Sequence, residues 1–323
     1  AVGDRGTILK TEDGGRNWIS ITTPRDIVWS DVYFLDENHG WIVGGYYRGQ
    51  AGRSVGVMLQ TDDGGQSWKN VSNIGMPFIR SIRFFDFNSG WLLCDSNSLY
   101  PWGMLVTSDG GKTWYRESRL PKQGVRLADS SGHGKISSIT NGGNLIEVNL
   151  KDATGQTKGR EEFSIGEIAN ALKLTPDGKG LIAGEKGLVL VRGSTGGWQR
   201  SDLPDLYRSI DWNSAFRKGD DCWVAGSPGS ILLRSEDGGI HWESCRTGET
   251  TPLNSLFFLN SDRGWAVGDL GKIMSTKDGG RTWTVQRNAG QRLANLNLVE
   301  SVDQVPKSAI ALLSGSFGNL SGV

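Results

Sequence analysis

Apolar and polar residues alternate along this chain in short runs, and glycine-rich clusters break the runs. The pattern is clearest where Leu253-Asn-Ser-Leu-Phe-Phe-Leu is followed by Gly264-Trp-Ala-Val-Gly, Lys272-Ile-Met-Ser-Thr, a turn cluster and Trp283-Thr-Val. A two-residue period bounded by Gly, Asp and Ser marks strands. No stretch carries a helical period, so the unit predicts four short antiparallel strands, a to d.

The unit repeats. Thr11-Glu-Asp-Gly-Gly-Arg-Asn-Trp18 recurs as Thr61 to Trp68, Thr107 to Trp114, Ser235 to Trp242 and Thr276 to Trp283. The aspartates of these boxes, Asp13, Asp63, Asp109, Asp237 and Asp278, are spaced by 50, 46, 128 and 41 residues, and the long step is close to three repeats. Worn copies at Lys151 to Gly155 and Gly193 to Trp198 fill it, which makes seven. Self-similarity at this period, with turns joining short strands, predicts an all-β fold: a seven-bladed β-propeller of four-stranded antiparallel blades. One propeller domain is expected over residues 1–323. Ala1 to about Pro24 should supply strands b to d of the closing blade, and residues 292–323 the remainder, with an a strand from Leu293 and a b strand at Ser308 to Leu313. Eight blades follow instead if each end forms its own sheet. Ala1 begins inside a repeat, so the chain is expected to belong to a longer one.

The box chemistry reads as structural. A carboxylate such as Asp63 accepts hydrogen bonds from the turn's own N–H groups, the glycines supply positive φ, and the hydroxyls of Thr61 and Ser67 satisfy further main-chain groups. Trp18, Trp68, Trp114, Trp242 and Trp283 then open the outer strands and bury more area than an aliphatic side chain covers. Trp41, Trp91, Trp223 and Trp265, all on strand b, are expected in the core.

Composition narrows the function classes. Lys+Arg and Asp+Glu both number 35, so no overall field favours nucleic acid. Cys94, Cys222 and Cys245 form no CxxC and read as buried free thiols, and His39, His133 and His241 lack metal-ligand spacing. No apolar run is long enough to span a bilayer. No metal, cofactor or catalytic residue is expected.

The Gly-Trp-x-Val-Gly strand followed by a (Ser/Thr)-x-Asp-Gly-Gly-x-(Thr/Ser)-Trp box, carried at Gly40-Trp41, Gly90-Trp91 and Gly264-Trp265, resembles the photosystem II stability/assembly-factor propeller family. The resemblance covers essentially the whole chain. It implies a seven-bladed, exported, non-catalytic protein that binds a partner during assembly of a membrane complex. Blades four and five depart from the pattern, with worn boxes and no Gly-Trp. The competing class is a carbohydrate-active or carbohydrate-binding propeller, since sialidases and xyloglucanases also carry the box. A sialidase arginine triad and tyrosine nucleophile are missing from the sequence, and the xyloglucanase cleft forms between two propellers. A carboxylate pair among Asp31, Asp129 and Asp211 is the remaining catalytic candidate.

The boxes mark one face, so function is sought among the d–a and b–c loops on the other. Blade two carries Tyr46, Tyr47, Arg48 and Arg53 in a long b–c excursion, and blade three carries Tyr100 and Trp102. Aromatic and arginine residues on loops have the composition of interface hot spots. Alignment of the inner strands puts Arg83, Arg126 and Lys173 at equivalent positions, with Arg80 nearer the loops. These arginines, with the two loops, are expected to bind a protein or peptide partner of acidic character, the competing reading being arginines paired within the fold; the chain itself is expected to be a monomer.

Overall fold

The computed structural model describes residues 1–48, 53–121, 124–132, 134–150, 163–288, 295–296 and 320–321. Among them there is no α-helix and one 3₁₀ turn, Asp205–Tyr207; Asp269–Gly271 is a left-handed turn, with Leu270 at φ 58°. The strands form seven sheets, the blades of a seven-bladed β-propeller. Two units are distinguished: Ala1–Glu117 with Leu270–Lys272 and Gln286–Val323, and Ser118–Asp269 with Ile273–Val285.

In the first unit, blade two runs from its inner strand Val28–Phe34 through Gly40–Arg48 and Arg53–Thr61 to Lys69–Asn70. Blade three comprises Ile79–Phe84, Gly90–Cys94 and Met104–Thr107, with Tyr115 bridged to Val106 in place of a full outer strand. Blade one joins the two ends of the chain: Leu320–Ser321 pairs antiparallel with Val2–Gly3, and Thr7–Lys10 and Ile19–Ile21 follow outward. The sequence placed the closing a strand from Leu293, yet Asn295–Leu296 runs parallel to Ile19–Ile21 on the outer edge. Alternating apolar residues identify a strand but not which edge of a sheet it joins. Ser308 to Leu313 lies outside the described residues.

In the second unit the inner strands are Val125–Ser130, Ala169–Leu174, Asp211–Lys218 and Leu253–Phe258, each heading its own four-stranded sheet. The worn box at Lys151 to Gly155 lies outside the described residues. At the other worn box, Trp198 is half-buried and packs against the core over Gly180, where a Cβ would stand 2.3 Å from its ring.

The repeated glycines have distinct jobs. The first glycine of each Gly-Trp motif makes room for an aromatic ring, Phe34 over Gly40, Phe84 over Gly90 and Phe258 over Gly264. Those rings meet the box tryptophans edge-on, at 6.1 Å for Phe34–Trp68 and 6.0 Å for Phe258–Trp283. Strand-b tryptophans stack on the phenylalanine of the following blade, Trp41 on Phe84 at 4.1 Å and Trp223 on Phe258 at 3.8 Å. Trp41, Trp91 and Trp223 are buried as expected, whereas Trp265 is only half-buried.

The second glycine of the motif answers to an irregularity that the sequence did not reveal. Six inner strands each carry a β-bulge, whose extra residue is Ser30, Arg80, Arg126, Asn170, Asn213 or Asn254. Gly44, Gly184, Gly226 and Gly268 face the residue before the bulge, where the backbone comes too close for any side chain. Four of the extra residues donate to the next inner strand: Ser30 to the Ile79 carbonyl (2.6 Å), Arg126 Nε to Ala169 (2.9 Å), Asn170 to Trp212 (3.2 Å) and Asn213 to Leu253 (3.1 Å).

Candidate functional site

Each box is a closed local network. In blade two, Thr61 Oγ1 donates to Asp63 Oδ1 (2.7 Å) and accepts from the Gly65 amide (2.9 Å), while the Ser67 amide and hydroxyl donate to the two carboxylate oxygens (2.9 and 2.6 Å). The same bonds recur around Asp13, Asp109, Asp237 and Asp278, with Asn17 and His241 replacing the hydroxyl in two boxes. Hydrogen bonds to the ionised form lower a carboxyl pKa. The Thr113 hydroxyl and amide hold Asp109 at about 2, and the Ser67 hydroxyl and amide hold Asp63 well below the usual range. Trp68, Trp114 and Trp283 are buried; Trp18 and Trp242 are half-buried. The carboxylates are saturated by their own turns, so these aspartates shape the fold.

The loop residues separate into two groups. Tyr46 is buried, its hydroxyl accepting from Arg48 Nη2 (2.9 Å), and the Arg48 guanidinium lies 5.4 Å from its ring centre. Tyr100 and Trp102 are half-buried and pack against the core that contains Trp41 and Met76, with Arg116 over the Trp102 ring at 5.8 Å. Tyr47, by contrast, is 59% exposed. Its ring stacks on Phe78 with centres 5.6 Å apart and planes 14° from parallel, and its hydroxyl donates to Asp95 Oδ2 (3.1 Å). Arg80, half-exposed, donates Nε and Nη2 to Asp95 Oδ1 at 2.9 and 2.7 Å. Beside them, Asn97 Nδ2 donates to the Gly75 carbonyl and joins the b–c loop to the preceding d–a loop, whose Ile74 is exposed together with Leu99. The Arg53 side chain lies outside the described residues.

The inner-strand cations are occupied within the fold. Arg83 Nη1 donates to Asp31 Oδ2 (2.5 Å) and to the Ile82 carbonyl, and its guanidinium covers the Tyr33 ring. Pairing register also changes the expected alignment. Arg126 is a bulge residue and matches Arg80; Asp129 stands where Arg83 and Lys173 stand. The expected alignment is three residues out in blade four, and the bulge, which all three strands share, does not cause that offset.

The carboxylates weighed as catalytic also serve the sheets. Asp31 accepts from the Ile82 amide and Asp129 from the Leu174 amide, both buried, while Asp211 is exposed and accepts from the Lys186 amide. The described residues hold no cluster able to bind a metal ion and no helix long and apolar enough to cross a membrane.

Sequence reasoning missed Asp95 and Phe78. One signal was available: successive side chains of a strand point to opposite faces, so only one of Tyr46 and Tyr47 could be exposed.

Comparison with known proteins accords with this architecture. A photosystem II assembly lipoprotein, Ycf48 of Trichormus variabilis, is 27% identical over 175 residues, covering 52% of this chain and 50% of its own length. The chain thus spans about half the length of the curated relatives it matches. A solved structure described as YCF48 bound to D1 peptide is 25% identical with a TM-score of 0.64, covering 86% of this chain and 88% of its own. The GH74 xyloglucanase of Xanthomonas campestris superposes with a TM-score of 0.68 over 90% of this chain and 52% of its own, but at 13% identity it shares the fold alone. Residues 16–179, half of the chain, match the family described as photosynthesis system II assembly factor YCF48. With the boxes, the Gly-Trp strands and the seven blades already in place, that match shows that the chain belongs to the YCF48 family.

Proposed function

We propose that this chain is a non-catalytic platform that binds a protein segment during assembly of a membrane complex. The observation that carries this reading is the solved YCF48 with a D1 peptide, matched here over 86% of the chain. The partner segment docks on the loop face of blades two and three, where Tyr47, Ile74 and Leu99 offer exposed apolar surface and Arg48 and Arg80 offer charge. Arg83 and Arg126 leave the contact set, because their guanidiniums already hold neighbouring strands. Arg53 stays in it on its place in the hairpin, and Tyr46, Tyr100 and Trp102 support the surface from beneath. The partner is acidic, the platform acts as a monomer, and it works outside the cytosol, in keeping with the lipoprotein name of the Trichormus relative.

The test is titration of a labelled D1 peptide and of overlapping peptides from proteins captured in the source cells. Binding should fall with Tyr47→Ala and with rising salt, since exposed charges are screened over about 10 Å at 0.1 M. Retention of every peptide by Tyr47→Ala and Arg80→Glu alike would move the site elsewhere. Failure of the wild-type chain to bind any of them would remove the platform reading.

A further inference from the structure

Two bulge side chains turn onto a carboxylate at the end of their own second strand: Asn254 onto Asp269 (2.8 Å) and Arg80 onto Asp95. Blade seven shows the plain form of this arrangement. In blade three it has two additions. The donor is a guanidinium, and a residue from the neighbouring blade, Tyr47, takes the other oxygen of the same carboxylate.

The side chain of Asp95 is 17% exposed, against 53% for Arg80. Each of its oxygens accepts from a loop-face residue, and its own amide donates to the Phe78 carbonyl (2.8 Å). One residue thus fixes three neighbours: its carboxylate holds the Tyr47 hydroxyl and the Arg80 guanidinium, and its amide holds the backbone of Phe78, on whose ring Tyr47 is stacked. A guanidinium is a planar fork with two usable edges. Asp95 takes the edge formed by Nε and Nη2; the edge formed by Nη1 and the second Nη2 hydrogen has no described hydrogen-bond partner. That remaining edge has the spacing for a second carboxylate, and the exposed Tyr47 is held on the other oxygen of the same Asp95. Proximity to Asp95, after burial, also raises the Tyr47 pKa, which keeps the hydroxyl protonated as a donor.

We propose that Asp95 is the positioning residue of the loop-face platform and that the platform reads an extended peptide carrying a carboxylate next to an aromatic side chain. This rests on the loop face of blades two and three being the partner site. The carboxylate meets the open edge of Arg80, and the aromatic side chain lies against Tyr47. Pre-organisation is the gain: Arg80 and Tyr47 need no ordering when the peptide arrives.

The experiment uses fluorescence anisotropy with two labelled synthetic peptides, one bearing Glu-Phe in a neutral Gly/Ser background and one bearing Gln-Phe. The wild-type chain should prefer Glu-Phe by about fivefold, the upper range for an exposed ion pair. Arg80→Lys keeps the charge but loses the fork, and should bring the ratio close to one. Asp95→Asn should do the same with the melting temperature nearly unchanged, and Tyr47→Phe should weaken both peptides alike. Tighter binding of Glu-Phe by Asp95→Asn would overturn the proposal, because Asp95 would then be a competitor and not an organiser. Equal affinity of the wild-type chain for the two peptides, or none for either, would also overturn it. If the D1 or captured peptides still bind in a Tyr47-dependent way, the platform reading survives that result.

Discussion

Gly226 sits so close to Trp212 that a Cβ on the glycine would come within 2.9 Å of the tryptophan Cα and 2.1 Å of the Asp211 carbonyl oxygen. The bulge at Asn213 brings the strand in, and backbone atoms cannot swing aside as a side chain can. Gly226→Ala should therefore destabilise by about 3 kcal/mol, the upper part of the overpacking range. Gly14→Ala, with open space around its Cβ but φ at 73°, should cost only about 1 kcal/mol. Urea midpoints of the two variants check the difference.

The box combines a packed ring with a satisfied turn, and two substitutions separate them. Trp68→Ala removes a buried ring that meets Phe34 edge-on and should cost about 3–5 kcal/mol. Thr61→Val keeps the shape but leaves the buried Gly65 amide without its acceptor, at about 1–3 kcal/mol. Neither change should alter peptide affinity once the folded fraction is taken into account.

Acid should unfold the protein through its boxes. Asp109 is held at about 2, and so is Asp278, where partial burial pushes upward but is outweighed by the Thr282 hydroxyl and amide. A carboxyl whose folded pKa lies below its unfolded value, 3.8 here, stabilises fully above that value and loses the contribution as pH falls toward the folded one. Thermal melting should be flat with respect to pH above about 5 as far as these groups are concerned, then fall steeply between about 4 and 2. Asp109→Asn should shallow the fall.

Three b–c hairpins close on two-residue turns in which both residues have positive φ: Arg5-Gly6, Lys186-Gly187 and Leu270-Gly271. Leu270, at φ 58° and 46% exposed, gains little burial to offset a left-handed backbone. Leu270→Asn should raise stability by about 0.5–1 kcal/mol, read from the urea midpoint.

The blade was legible because its signals are local. Asp63, Gly65 and Trp68 close one turn within a few residues, so their spacing is the structure. The site was legible only in part, because it depends on pairing. Arg80 and Asp95 are 15 residues apart and meet because a bulge turns Arg80 toward the end of the next strand. Arg83, read as a contact for an acidic partner, is fixed by Asp31 from the neighbouring blade, 52 residues away. Periodicity shows which residues share a face, but it does not show which carboxylate stands opposite.

The bulge side chains of Ser30, Arg126, Asn170 and Asn213 all donate to a main-chain oxygen of the following inner strand. A carbonyl is supplied by every amino acid, so the joint asks nothing of the residue that receives it. Each of these four blades brings its own fastener and fits any successor whose inner strand runs alongside. Tandem duplication of a blade therefore arrives with its seam already made, and copies such as blade five are free to lose the Gly-Trp signature without losing their place in line.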